Sequence, residues 1–282
     1  MFNKRPTAFI FGAGNVGEYI LPFVQEKYEV IAFLDNDKAK LGKKLKGVDI
    51  YTPEAILDSD YNIVVIASLA GVNRITEQLI NLGVNIRDIS TEYVDLHVKA
   101  RIVFLEKLAE LFQEQDIAGA IAECGVFQGE FASEINRLFP NKKLYLFDTF
   151  SGFDARDVLI EQQRGYSDLK TGHFNITNEE IVLSKLPFPD MVIIRKGYFP
   201  ETTEGINEIF CFVNLDFDLY QPTLEGLNYF YPRMAKGGLI LVHDYFSVGY
   251  KGVRQAVDEF KMKTEGVQLL PIGDGLSIAI HI

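Results

Sequence analysis

Two strand-like segments in the second half of the chain end in residues that could bind a cation or move a proton. Asp216 and Asp218 end VNLDFD, and His243-Asp244 end LILVHD. Ligands of open α/β sheets bind at the carboxyl ends of the strands, so we expect Asp216, His243 and Asp244 to meet at one edge. Two carboxylates and an imidazole could hold a hard cation or act as a general base. Asp218 is expected to cap a helix or face solvent.

A second group of residues has the pattern of a cofactor loop. The segment Glu123–Gly129 reads E-x-G-x-x-x-G between a strand-like and a helix-like stretch. Asp148 ends the next strand, 19 residues beyond Gly129. Glycines at such a turn let the backbone approach a ligand, and an acid at the end of the second strand can accept from both ribose hydroxyls. The pattern predicts a nucleoside-containing cofactor.

A third motif lies near the start of the chain. Gly12, Gly14 and Gly17 form G-x-G-x-x-G after a strand, and Asp35 follows 18 residues beyond Gly17. Such a loop can place a pyrophosphate at a helix N-terminus while the acid binds ribose hydroxyls. The motif predicts a site for NAD or a nucleotide sugar. The alternative is a Rossmann unit used only for packing or assembly.

The segments around these motifs alternate between strand and helix. The alternation runs through residues 1–95 and restarts at residues 118–282, with a helix-like link over 96–117. This rhythm predicts an α/β protein with two Rossmann-like, doubly wound domains. At the C-terminus, two apolar segments flank Gly273-Asp274-Gly275, which predicts a terminal antiparallel β-hairpin.

A long polar stretch separates two of the predicted strands. Ser151–Asn175 is polar enough to predict a loop that covers the site, and T-N-E-E at Thr177–Glu180 predicts a capped helix through about Leu186. Tyr166 and Lys170 have the spacing of a short-chain dehydrogenase pair. We interpret that spacing as coincidence, because the pair lies far from the glycine fingerprint. Basic side chains of the stretch that could contact an acceptor are Arg156, Arg164, Lys170 and His173, together with the Tyr166 hydroxyl.

Charge and composition exclude some classes of function. The 282 residues have a net charge of -11. Residues 1–99 hold 11 Lys and Arg against 13 Asp and Glu, and residues 100–282 hold 17 against 26. So acidic a second half disfavours nucleic acid as a partner. No apolar run reaches the roughly 18–20 residues of a membrane span, and the basic N-terminus leads into a strand rather than a signal peptide. Cys124 and Cys211 fit buried thiols of a cytoplasmic protein.

The C-terminal part, about residues 118–282, resembles the macrolide sugar O-methyltransferases of the macrocin/mycinamicin type. The matching segments are ECGVFQGEFA, LYLFDTFSGF, KGYFPETT, LDFDLYQPTLEGLNYFYPRMAKGGLILVHDY and RQAVDEF. The resemblance implies a class I methyltransferase fold, S-adenosylmethionine as cofactor, and Mg²⁺. It also implies a sugar hydroxyl as acceptor, in a glycan, a nucleotide sugar or a small-molecule secondary metabolite.

Site residues follow from this resemblance by position. Asp148 would hold the ribose, and Asp216 and Asp244 would bind the metal. The family usually has two adjacent acids where this chain has His243-Asp244. Because imidazole is a softer and neutral ligand, it suits Mg²⁺ less well, and His243 could instead be the general base. Implied contacts of the cofactor are Glu123, Gly125, Phe127, Gly129, Asp148, Thr149, Phe150, Gly197, Tyr198 and Phe199.

The first ninety residues resemble Rossmann-like modules attached to bacterial sugar-modifying enzymes. The main alternative function is therefore an NAD-dependent oxidoreductase or epimerase that acts on a nucleotide sugar through this part. Others are a non-catalytic nucleotide sensor, and methylation at carbon or phosphate. Exposed apolar residues on the linking helix would suit a homodimer.

Overall fold

The structure is a computed structural model that describes residues 5–68, 71–247 and 249–282, apart from the side chain of Asn73. The chain divides into two compact units, Met1–Lys99 and Ala100–Ile282. Each unit has its own sheet. Among the described residues, no helix combines the length and the apolar character that crossing a membrane requires.

The first unit contains a six-stranded sheet with the order β3-β4-β2-β1-β5-β6. All neighbouring strands are parallel except β3 and β4. Short 3-10 turns lie at Pro53–Asp58 and Ile86–Asp88. The elements are β1 (Thr7–Phe11), α1 (Asn15–Lys27), β2 (Glu29–Leu34), β3 (Lys44–Leu45), β4 (Val48–Tyr51), β5 (Ile63–Ile66), α2 (Val72–Asn81), β6 (Ile89–Ser90) and α3 (Glu92–Glu114), whose last part belongs to the second unit.

Strand β1 lies in the middle of this sheet because its side chains are apolar on both faces. Ala8 and Ile10 pack into one core, and Phe9 and Phe11 pack into the core on the opposite face. A strand buried on both sides reads as a continuous apolar run, as a parallel sheet requires. The glycine loop therefore begins at the end of a rigid central strand.

The second unit contains a seven-stranded sheet with the order β12-β13-β11-β10-β7-β8-β9. Strand β13 runs antiparallel to β11 and β12, and the other pairs are parallel. The predicted α/β class and the terminal hairpin are therefore confirmed. The elements are β7 (Ala120–Cys124), α4 (Glu130–Leu138), β8 (Leu144–Asp148), α5 (Ala155–Arg164), α6 (Glu179–Lys185), β9 (Val192–Lys196), β10 (Phe210–Leu215), α7 (Tyr220–Phe230), β11 (Met234–Val242), α8 (Lys251–Lys263), β12 (Leu269–Pro271) and β13 (Ile278–His281).

Strands β7 and β10 mark the point where the order of the second sheet reverses. The chain continues from β7 to β8 on one side, whereas β10 lies on the other side of β7. Ligands of open α/β sheets bind at the carboxyl ends of the strands at such a reversal. Glu123 on β7 is directly opposite Asn214 on β10, so two polar side chains share one sheet face near this point.

The polar stretch at 151–175 is more ordered than a covering loop. It contains α5, which begins after Asp154, whose side chain accepts a hydrogen bond from the Arg156 N–H. The expectation of an unstructured loop was wrong, because Val158 and other buried residues give this polar helix one packed face. The predicted cap of the next helix was one residue off: the Asn178 side chain caps α6, and the Thr177 hydroxyl donates to the Phe127 carbonyl.

The N-terminal end of α5 is fixed against the segment after β9. The Tyr198 hydroxyl donates to Asp157 Oδ1 at 2.8 Å, and the Arg156 guanidinium stacks over the Tyr198 ring at 3.4 Å. Burial raises the pKa of the Asp157 carboxyl to about 6, although the Tyr198 hydrogen bond opposes the change. The folded protein therefore holds a proton on Asp157 more tightly than the unfolded chain does.

We predict that Asp157→Asn stabilises the protein at neutral pH. Between pH 4 and 6 the wild-type carboxyl ionises in the unfolded chain before it ionises in the folded protein, so folding stability falls as pH rises through this window. Asparagine still accepts from Tyr198 and removes the buried charge, a gain of about 1–3 kcal/mol at pH 7 and little at pH 4. Urea unfolding at both pH values measures the difference. Exposed Asp168→Asn controls for net charge, and a less stable Asp157→Asn at pH 7 would contradict the prediction.

Candidate active site

The loop after β7 is pressed against the end of β10. Gly125 has φ +82°, and a Cβ atom there would lie 2.0 Å from the carbonyl oxygen of Asp216. The Asp216 N–H also donates to the Cys124 carbonyl at 2.8 Å. Gly125 is thus required for close approach of this chain's own backbone, which places Asp216 directly beside the cofactor-type loop. Gly129 also has a positive φ, and its α-carbon faces Val182 of α6.

Asp148 fixes the conformation of the same loop. Its Oδ2 accepts from the N–H groups of Val126 at 2.7 Å and Phe127 at 3.0 Å, and its Oδ1 accepts from the Phe150 N–H at 2.7 Å. Two acceptor positions on Oδ2 are filled, whereas Oδ1 keeps capacity for another donor. The structure therefore gives Asp148 a role that the sequence did not predict, because the carboxylate fixes the conformation of the loop through hydrogen bonds to its backbone N–H groups.

Asp216, His243 and Asp244 meet at the carboxyl edge of the sheet, as their strand positions predict. Leu215 and Val242 are register partners on β10 and β11, so the residues that follow them lie side by side. His243 Nδ1 lies 2.8 Å from Asp244 Oδ2 and 3.1 Å from Asp216 Oδ1. One potential ligand atom from each residue lies within 4.8 Å of the other two.

The electrostatics of this cluster favour a positively charged histidine beside an ionised Asp216. Burial lowers the pKa of the His243 imidazole, but the charges of Asp216 and Asp244 outweigh this effect and raise the pKa to about 10. Burial raises the pKa of the Asp216 carboxyl, but His243 and Arg101 outweigh burial and hold that pKa well below its usual value. His243 therefore holds its ring proton at neutral pH.

Arg101 of helix α3 is a site residue that the sequence analysis missed. One of its terminal nitrogens donates to Asp216 Oδ2 and to Asn214 Oδ1, each at 3.0 Å, and its guanidinium stacks over the Phe131 ring at 3.9 Å. Asn214 in turn donates to Glu123 Oε1 at 3.2 Å. The four polar groups form one network beneath the cluster. A signal existed, because Arg101 is in line with the apolar positions Leu105, Leu108 and Phe112 of the same helix.

Two atoms of this network have no hydrogen-bond partner among the described residues. They are Glu123 Oε2 and Arg101 Nε, both inaccessible to solvent. Burial raises the pKa of the Glu123 carboxyl well above its ordinary value. Buried polar atoms are rarely left unpaired. The Glu123 carboxyl and the Arg101 guanidinium therefore each have an unused hydrogen-bonding position near the loop.

Asp218 is half-buried and lies near Asp244 of the cluster. It has φ +63°, and Asp244 has φ +60°, a conformation that is uncommon for residues other than glycine and that occurs at functional sites. Burial, followed by the charges of Asp244 and Asp216, raises the pKa of the Asp218 carboxyl well above its usual value. The position next to the helix is taken by Leu219, which is the N-cap residue of α7, so the expectation that Asp218 caps this helix was wrong.

The remaining predicted cofactor contacts divide between turns near Asp148 and the hydrophobic core. The Thr149 hydroxyl donates to the Gly152 carbonyl at 2.7 Å, and the Gly197 N–H donates to the Asp148 carbonyl at 3.0 Å. The Phe199 ring packs among Phe147, Phe217 and Phe230 and is part of the core. Phe150 is also buried in the core, whereas the Phe127 ring contacts Phe174 of the 151–178 segment.

The glycine loop of the first unit repeats part of this arrangement. Asp35 Oδ2 accepts from the Ala13 N–H at 2.9 Å and from Lys40 Nζ at 3.0 Å, and Oδ1 accepts from the Asp37 N–H. Open space surrounds the α-carbon of Gly14, whereas a Cβ at Gly17 would lie 2.0 Å from the Gly12 carbonyl. Tyr166 and Lys170 lie in the second unit and on no helix, so neither completes a dehydrogenase site.

Comparisons with known proteins agree with this geometry. A family model described as C2185-like, N-terminal, matches residues 5–90. The 8-demethyl-8-(2,3-dimethoxy-alpha-L-rhamnosyl)-tetracenomycin-C 4'-O-methyltransferase of Streptomyces olivaceus is 22% identical over 176 residues, which cover 57% of this chain. The match spans 65% of the length of that curated relative.

Solved structures of two methyltransferases share the fold. The O-methyltransferase NovP is 22% identical with a TM-score of 0.52, over 64% of this chain and 79% of that chain. The calicheamicin methyltransferase CalS11 is 20% identical with a TM-score of 0.55, over 74% of this chain and 91% of that chain. The family model described as Macrocin-O-methyltransferase (TylF) matches residues 87–271, more than half of the chain. Because the match covers more than half of the chain, the protein belongs to the macrocin-O-methyltransferase (TylF) family.

Proposed function

We propose that the protein transfers a methyl group from S-adenosylmethionine to a sugar hydroxyl. The observation that supports this most directly is the contact between two loops at the point where the sheet order reverses. The loop held by Asp148 is of the cofactor type, and Gly125 brings it against Asp216 of the acid–histidine cluster. A nucleoside cofactor on the first loop and a hydroxyl at the cluster would be neighbours there.

The residues around the loop suit the two ends of the cofactor. Asp148 Oδ1 has capacity to accept from a ribose hydroxyl while the loop N–H groups hold Oδ2. The Glu123 carboxyl and the Arg101 guanidinium belong to the network beneath the cluster, and these are the kinds of group that complement the ammonium and the carboxylate of an amino acid. When bound, the cofactor supplies a methyl group on a positively charged sulfur, and the acidic second half of the chain favours such a cation.

The cluster would position and deprotonate the acceptor hydroxyl. His243 Nδ1 is already shared by two carboxylates, which makes His243 a poorer base than the sequence suggested. Asp218 lies beside Asp244, and its raised pKa is the property that suits a general base. We assign proton acceptance to Asp218, and orientation of the acceptor to Asp216 and Asp244.

The donor set of the cluster also fits a divalent cation. Asp216 Oδ1, His243 Nδ1 and Asp244 Oδ2 could bind it, while Arg101 on Asp216 Oδ2 restricts that carboxylate to one coordinating oxygen. A cation there would lower the pKa of a bound hydroxyl. The nitrogen ligand favours Mn²⁺ or another transition ion over Mg²⁺.

Calorimetric titration with S-adenosylhomocysteine tests the cofactor assignment. We expect wild-type protein to bind it, and Asp148→Asn to weaken binding about 10- to 100-fold, because a charge-assisted hydrogen bond contributes roughly 1.5–3 kcal/mol. Asp35→Asn is the matched control, because Asp35 holds the glycine loop of the other unit. Binding of NAD that Asp35→Asn abolishes, with no binding of S-adenosylhomocysteine, would favour the oxidoreductase alternative.

Rhamnosides and nucleotide-linked rhamnose are the first acceptors to test, because the curated relative's name specifies a rhamnosyl group.

Metal selectivity tests the role of His243. We expect the wild-type protein to bind Mn²⁺ in preference to Mg²⁺, and His243→Asp to reduce the Mn²⁺-to-Mg²⁺ affinity ratio about tenfold, because a carboxylate replaces the nitrogen ligand. Electron paramagnetic resonance of free Mn²⁺, with Mg²⁺ as competitor, measures the ratio. Asp190→Asn removes an exposed acid and serves as the control. An unchanged ratio, or no Mn²⁺ binding, would show that His243 is not a ligand.

A further inference from the structure

Glu161 of α5 is a fully buried carboxylate outside the acid–histidine cluster. Its Oε1 accepts from the Tyr220 N–H at 2.7 Å, and its Oε2 accepts from the Ser167 hydroxyl at 2.7 Å. Tyr220 is the first residue of α7. The first N–H groups of a helix have no partner within the helix, so Glu161 supplies an acceptor to one of them at the start of α7.

The same oxygen also lies against the start of α8. A Cβ atom on Gly252 would lie 2.2 Å from Glu161 Oε1 and 2.9 Å from the Tyr220 Cβ. Gly252 is the second residue of α8, and only a residue without a Cβ atom fits at this position. One carboxylate oxygen therefore occupies the place where the first turns of α7 and α8 converge on α5.

Both helix starts lie close in sequence to loops that carry or adjoin the cluster. Asp218 precedes Tyr220 by two positions, and Tyr250 precedes Gly252 by two positions. The Tyr250 N–H donates to the Ser247 hydroxyl at 3.3 Å, and the Ser247 N–H donates to the Asp244 carbonyl at 3.0 Å, which links the start of α8 to the cluster. The position of Glu161 thus bears on two loops that approach the same acids from different strands.

We propose that Glu161 is a positioning residue, which sets the distance between the Asp218 loop and the Tyr250 loop and so aligns the acceptor with the cofactor. We place its effect on the acceptor side of the site, because its contacts are with the starts of α7 and α8, whereas Asp148 at the end of β8 holds the cofactor-type loop. The inference rests on the proposed methyl transfer for its kinetic readout only. Its structural readout is independent of that function.

Hydrogen–deuterium exchange provides the structural readout. We expect Glu161→Ala to speed amide exchange about tenfold in peptides covering both 218–222 and 249–254, because the Tyr220 N–H loses its acceptor and the contact at Gly252 becomes a void. Glu161→Gln is expected to restore protection, because its carbonyl oxygen still accepts from Tyr220. Leu159→Ala, on the exposed face of the same helix, is the control and should change neither peptide.

Gly252→Ala tests the same contact from the other helix. Its methyl group must displace the Glu161 carboxylate, so we expect faster exchange at 218–222, although Gly252 itself lies outside this peptide. Suppose that Glu161→Ala changed only peptide 218–222 and Gly252→Ala changed only peptide 249–254, or that neither peptide changed. The two loops would then not be coupled, and the inference would be overturned.

Kinetics separate positioning from simple loss of stability. With an acceptor that the wild-type protein methylates, Glu161→Ala should lower kcat at least tenfold, while the KM for S-adenosylmethionine and the affinity for S-adenosylhomocysteine change less than threefold. Glu161→Gln should recover most of kcat. Equal losses in kcat and in cofactor affinity would overturn the inference. Absence of methyl transfer in the wild-type protein would refute the proposed function and leave the exchange result to decide the coupling.

Discussion

Four carboxylates share one partly buried edge of the second sheet, and the balance of charge there is the constraint that the surrounding structure has to satisfy. Arg101 and His243 contact Asp216 from opposite sides, one at each oxygen. Asn214 links the Arg101 guanidinium to the Glu123 carboxyl through one hydrogen bond to each. Without such partners, burying these acids would cost several kcal/mol for each ion. Helix α3 therefore contributes more than an apolar cover, because it delivers the cation that lets Asp216 remain ionised at the end of β10.

The two sheets use the same device to hold a glycine loop. Asp35 and Asp148 each end the second strand of their unit and accept from backbone N–H groups of the loop after the first strand. The difference lies at the neighbouring strands. In the second unit the adjacent strand ends carry Asp216 and His243-Asp244, and the glycine loop packs directly on the first of them. The same way of holding a glycine loop therefore stands, in the second unit, beside acids from the neighbouring strands.

Local sequence predicted the motifs and missed the contacts that join them. Strand ends, glycine turns and the terminal hairpin follow from apolar runs and turn residues, which each segment reveals alone. Helix α5 was read as loop because only one of its faces is buried and that face includes Asp157 and Glu161, polar residues that need partners from distant elements. Asn214, in an otherwise apolar strand, and Arg101, on an apolar helix stripe, were detectable as misplaced polar residues. Their partners were not, because strand neighbours and helix packing fix them.

His243 changes the charge balance of the cluster when no ligand is bound. Two adjacent carboxylates facing a third would repel one another and would depend on a bound cation to hold their geometry. With His243, Nδ1 lies 3.1 Å from Asp216 and 2.8 Å from Asp244, so the imidazolium offsets part of the negative charge of the cluster. A cation that takes this place must displace the imidazolium proton, which couples its affinity to pH. The protonated imidazole that orders the cluster would therefore also oppose the binding of a hard cation.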